Sequence, residues 1–182
     1  MKLTRRLVIA VLIVSMSIAY SDGLTDNHKV TIIIPEIALL DIEPEASKDI
    51  EITMTAPTEA GNPLASSTDN NLWLNVTSIV ATGNTRDISV KINAPLAGLN
   101  LKVASAAYAG SGFGSWGTPQ PQLTLTASDQ TLVSGLKSGF TANGANNGYN
   151  LTYTAETVAS NDFGDIVSSA GSEITVTYTL TE

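Results

Sequence analysis

An all-β fold, an antiparallel two-sheet β-sandwich, is what this sequence of 182 residues predicts, and three observations carry that expectation. From residue 29 onward apolar residues recur with a period of two rather than the 3.6 of a helix. The alternating runs are dominated by Thr, Val, Ile and Tyr, which suit a pleated, half-buried surface. Stretches of Gly, Asn and Pro separate them at short intervals, the punctuation of a sandwich or barrel. One apolar face and one Thr-rich or charged face per strand imply two sheets that meet on their apolar sides. An immunoglobulin-like or jelly-roll sandwich is the first expectation and a closed barrel the second.

The strands follow in order. KVTIIIPEIALLDIE supplies two, Lys29–Pro35 and Ile37–Glu43, divided at Pro35, which cannot donate to a ladder. Asp49–Thr55 is the third and Leu72–Ser78 the fourth, with the polar stretch TAPTEAGNPLASSTDNN between them. In Asp87–Asn93, Ile88, Val90 and Ile92 alternate with Ser89, Lys91 and Asn93; in Leu99–Ala106, Leu99, Leu101 and Val103 alternate with Asn100, Lys102 and Ala104. Gln122–Ala127, Thr131–Leu136 and Tyr149–Ala155 come next, after the glycine-rich GSGFGSWGTPQPQ and on either side of ANGANNGYN. Ala159–Ser169 can form a helical turn. Glu173–Thr181 ends the series: Ile174, Val176, Tyr178 and Leu180 take one face, and four threonines take the other.

The first residues predict export. Lys2, Arg5 and Arg6 precede the short apolar run LVIAVLIVSMSIA and then small residues, the pattern of a signal peptide over residues 1–21, cleaved after Ala19 or Ser21. The run is short for a membrane span of about 20 residues, so an uncleaved anchor is the second reading, and no stable span is expected once the leader is removed. Residues 22–182 then form a single domain, secreted or held in the periplasm or at the outer surface of a bacterial cell. The chain has 9 basic and 17 acidic residues, a net charge of −8; the leader holds three of the basic residues and no acidic one, leaving −11. Such a surface argues against nucleic acid, whose phosphates need Lys and Arg. There are no cysteines, which excludes disulfides, thiolate metal sites and a cysteine nucleophile.

The motifs that carry chemistry fare poorly. Gly112-Phe-Gly114-Ser-Trp-Gly117 fits GxGxxG, but Pro119 and Pro121 follow where a phosphate-binding helix should begin, so a flexible glycine-rich loop is expected. Asp41 and Glu43 share a strand face about 6.6 Å apart, near glycosidase spacing, yet sit beside a polar turn with no sign of a cleft. Asp162 with Asp165, and Asp69-Asn70-Asn71, are oxygen-rich but lack the dense alternation of a calcium loop; Asx turns explain them. His28 is the only histidine, so neither a histidine zinc site nor a well-anchored catalytic triad can be assembled. Asn75-Val-Thr77 and Asn150-Leu-Thr152 match the glycosylation pattern within Asn- and Thr-rich strands, where it arises by chance. No enzyme, metal or cofactor is expected. Tyr108, Phe113 and Trp116 stand among glycines and either stack on sugar rings, as in a carbohydrate-binding module, or cap the core.

Taken together, the leader, the β pattern and the closing run of Ile174, Val176, Tyr178 and Leu180 resemble the fimbrial subunits of chaperone–usher systems, the spore-coat-U-like group among them. The chain departs from many such subunits in having no cysteine. The resemblance implies an immunoglobulin-like fold completed by a strand from a neighbouring subunit. It implies a donor run carrying Val30, Ile32 and Ile34, although Ile33 interrupts its alternation. The expected role is therefore a non-enzymatic structural or adhesive protein whose partners are copies of itself, other surface proteins or glycans.

Overall fold

Thirteen consecutive residues, Ser67–Ile79, form β2, the longest strand and the one around which the first sheet is laid. Its inward residues Leu72, Leu74 and Val76 are buried, whereas Trp73, Asn75 and Thr77 point to the opposite face, as period-two geometry requires. This computed structural model describes residue 23 and residues 25–159, 161–169 and 171–181. The signal peptide expected at 1–21 lies outside the described residues. A compact unit begins at Ile34.

The remaining strands are β1 (Ile37–Glu43), β3 (Arg86–Ile92), β4 (Leu99–Ser105), β5 (Phe113–Gly114) and β6 (Thr118–Pro119). They continue with β7 (Leu123–Thr124), β8 (Gln130–Leu136), β9 (Gly139–Phe140), β10 (Tyr149–Thr157) and β11 (Val176–Thr181). A seven-stranded sheet runs β5-β9-β2-β10-β4-β7, with β1 on the other side of β2; a four-stranded sheet runs β11-β3-β8-β6. Every pairing is antiparallel. The fold is a two-sheet sandwich, and the barrel alternative falls.

The core lies between the sheets. Leu72, Leu74, Val103, Tyr149 and Leu151 from the first sheet meet Ile88, Val90, Leu132, Val133 and Leu136 from the second. Each fully buried aliphatic side chain contributes roughly 2 kcal/mol of hydrophobic stabilisation, so this layer dominates the fold.

Two expected strands are corrected. Lys29–Pro35 has no ladder partner among the described residues, and Val30, Ile32, Ile33 and Ile34 are 69–87% exposed. Asp49–Thr55 contributes one isolated bridge, Thr55 to Ala65; Ile50 and Ile52 nevertheless pack on the core from an irregular segment. The glycine-rich loop is corrected as well. It holds β5 in one sheet and β6 in the other, and its glycines sit where backbone approaches backbone. A Cβ at Gly112 would collide with the Phe140 carbonyl, and one at Gly117 would lie 2.5 Å from the Ser134 carbonyl. The GxGxxG spacing therefore serves a crossing between sheets. The expected turn appears as a 3-10 helix at Asn161–Asp165.

One irregularity shapes the outer face. Phe140 of β9 pairs with Thr77, and Tyr149 of β10 pairs with Leu74, so residues 141–148 leave the ladder opposite only Asn75 and Val76. Thr141 stays against Val76: its N–H bonds the Val76 carbonyl at 2.9 Å and its Oγ1 accepts the Val76 N–H at 3.0 Å. The buried Asn75 side chain replaces the missing ladder, donating to the Asn147 carbonyl at 2.6 Å and accepting the Gly144 N–H at 2.7 Å. The excursion is thus a fixed wall on the sheet's outer side.

Candidate functional site

The two sheets end unequally, and the inequality marks the candidate site. On one flank the terminal strands β5, β6 and β7 are two residues long, a length that offers little to an incoming chain. The opposite flank carries β1, seven residues, and β11, six residues, in contact across the sandwich. Among the described residues β1 pairs only with β2, and β11 only with β3. Each therefore presents an outer row of backbone N–H and C=O groups, a template for a further strand.

The side chains along this flank are apolar and incompletely covered. Leu40 and Ile42 of β1 form one bank. Ile174, Val176, Tyr178 and Leu180 form the other. All six pack against the core yet remain half-buried, unlike Ile88 and Val90 on the neighbouring β3, which are fully enclosed. β11 itself is well seated, paired with β3 from Val176↔Ile92 to Thr181↔Asp87. Tyr178 is tied across the sandwich to Tyr153, and burial pushes its phenol well above the usual tyrosine range.

The structure brings Ile174, Val176, Tyr178 and Leu180 together on this flank; Val30, Ile32 and Ile34 lie on the exposed, unpaired run. Sequence reasoning missed the opposing bank. Leu40 and Ile42 were legible as a strand face, but their place beside β11 follows from pairing between distant strands, which period two does not encode.

Tyr108, Phe113 and Trp116 do not form one platform. The Tyr108 and Trp116 rings stack on each other at 3.7 Å between centroids, and Tyr108 meets the buried Tyr149 edge-on. The Tyr108 hydroxyl accepts the Gly112 N–H at 2.7 Å, fixing the loop. Phe113 stands apart, 75% exposed and paired with Phe140. With Leu39 it makes an exposed apolar row across the outer face, through the register Leu39↔Thr77↔Phe140↔Phe113.

The carboxylates have local employment. Asp41 Oδ1 accepts the Ile42 N–H, and Glu43 Oε2 accepts the Glu45 N–H. Both Asp69 oxygens are taken by Asn71, at 2.8 and 3.0 Å, an Asx turn. Asp162 and Asp165 belong to the 3-10 turn. Of the two glycosylation-pattern residues, Asn75 is buried with its amide nitrogen and oxygen each hydrogen-bonded to the backbone, so only Asn150 is half-exposed. No protein-family model matches this chain, and no curated protein or solved structure matches it either.

Proposed function

We propose that this chain is a structural subunit of an exported, cell-surface or extracellular assembly, and that copies join by strand addition rather than performing catalysis. The single observation behind this reading is the β1–β11 flank, where two long open edges border a strip of half-buried apolar side chains. Natural proteins blunt or cover such edges because they recruit other strands. Here the short strands blunt the other flank while this one stays open. The occupant is the run around Val30, Ile32 and Ile34 of a second copy. Added to one edge, it would extend the ladder and place alternate apolar residues over the uncovered strip. Each Val or Ile so buried would gain roughly 1.5–3 kcal/mol before the cost of ordering the segment.

Light scattering on the purified chain, before and after heating and slow cooling, tests this. Multimers are expected, and replacing Val30, Ile32 and Ile34 together by Asp should leave folded monomers whose thermal midpoint no longer rises with protein concentration. A wild-type chain that folds and stays monomeric through that cycle would refute assembly by strand addition.

A further inference from the structure

The outer face of the seven-stranded sheet carries a second constellation, remote from Tyr108 and Trp116 in role and independent of how copies join. Trp73 is the centre of a cross-strand row: Glu43 of β1 lies opposite it on one side and Asn150 of β10 on the other. Its indole is half-buried and is not among the side chains that pack on the core. Around it opens a shallow depression of about 600 Å³. The wall formed by residues 141–148 bounds one side with Ala145 and Asn146, and the turn at Pro44 and Ser47 bounds the other. Asn70, Asn71 and Asn150 line the floor.

These amides are held, and several of their atoms are unspent. Leu151 pairs with Leu72 but Tyr153 with Asp69, so two residues, Asn70 and Asn71, oppose Thr152 alone. Such a bulge re-aims side chains. Asn150 Nδ2 donates to the carbonyls of Asn70 at 2.8 Å and Leu72 at 3.2 Å, leaving its oxygen without a partner among the described residues. Asn71 Nδ2 is held by Asp69 at 2.8 Å, and its oxygen likewise makes no hydrogen bond there. The Asn146 side chain makes none among the described residues, from a left-handed backbone at φ 68°. Buried Asn75 fixes the loop that presents it.

We propose that this depression binds a neutral pyranose-based glycan. The negative face of an indole attracts the polarised C–H bonds of a sugar ring, and the ring's apolar face removes the indole from water. Asparagine amides both donate and accept, matching hydroxyls that do the same. The charge selects against other flat ligands: Glu43 and Asp69 border the site, and the chain carries −8 overall, which disfavours nucleotides and acidic sugars. A Trp73 backbone paired on both sides and a braced loop leave little to be ordered on binding. The open shape suits an internal stretch of a polymer as well as its end.

The test uses the Trp116→Phe chain, whose only remaining indole is Trp73. Its fluorescence is titrated with neutral oligosaccharides built from glucose, mannose, galactose, xylose or N-acetylglucosamine, and with oligogalacturonate as the acidic control. A saturable change with at least one neutral oligosaccharide is expected, with the acidic control weaker. By calorimetry on the otherwise native chain, Trp73→Ala should weaken that binding about tenfold or more. Asn146→Gly, which keeps the left-handed backbone and removes the amide, should weaken it about three- to tenfold. No saturable change with any neutral oligosaccharide overturns the proposal. So does binding that survives both substitutions, is lost with Trp116→Phe, or favours the acidic control.

Discussion

The hydroxyls of Tyr153 and Tyr178 stand 2.5 Å apart, joining β10 of the seven-stranded sheet to β11 of the four-stranded sheet. The bond spans the core beside the open flank, so it fixes how far apart the two sheets stand where β1 and β11 border the strip. Removing one hydroxyl strands the other in a buried setting, at a cost of about 1–3 kcal/mol. Tyr153→Phe and Tyr178→Phe should each lower the urea-derived stability by that amount. The double replacement should recover part of the loss, because neither hydroxyl is then stranded. A double-mutant cycle with no coupling would show that the two hydroxyls do not depend on each other.

The same tyrosines make stability sensitive to alkali. Burial pushes the phenols of Tyr149 and Tyr153 up to about 12 and raises Tyr178 as well. For Tyr149 the neighbouring Gly117 backbone offsets part of the effect. Unfolded phenols ionise near pH 10, so the folded state holds these protons more tightly than the unfolded state does. The resulting stabilisation is complete below about pH 10 and is lost as pH rises toward 12. For Tyr149 the rise to about 12 corresponds to about 2–3 kcal/mol at most. Urea midpoints should therefore hold steady from pH 8 to about 10 and fall steeply above it. Tyr149→Phe should flatten that fall.

Asn75 is expected to act as the brace of the outer wall. Asn75→Ala would leave the Asn147 carbonyl and the Gly144 N–H without their partner, costing about 2–4 kcal/mol. Hydrogen exchange at residues 143–148 should accelerate far more than exchange in β10, because the loop loosens before the sheet opens. Uniform acceleration across β2 and β10 would mean that Asn75 supports the whole sheet rather than the excursion.

Much of the fold was legible because period two is a local signal. Ile88, Val90 and Ile92 face inward on β3 and Leu101 and Val103 on β4, as alternation required, and Ile37–Glu43 forms β1 with the expected ends. The short strands β5, β6 and β9 were not legible. Two residues carry no periodicity, and these strands exist only because Gly112, Gly114, Gly117 and Gly139 let distant backbones meet. The segment Asp49–Thr55 failed in the opposite way: its Ile50 and Ile52 alternate, but the ladder found no partner for them.

The candidate sites divide along the same line. The apolar face of Ile174, Val176, Tyr178 and Leu180 is written in the last strand, since alternation alone sorts those side chains from the threonines. That this face lies beside β1, half-covered and bordered by two open edges, depends on which strands end the sheets, and strand order comes from long-range pairing that no local pattern encodes. Trp73, Asn71, Asn146 and Asn150 are spread over some eighty positions of sequence, and nothing in their own surroundings marks them. Cross-strand register, one bulge and an eight-residue excursion braced by Asn75 bring them together. Local chemistry thus determined the faces of the strands; only the tertiary pairing decided which faces stayed open and which amides met around an indole.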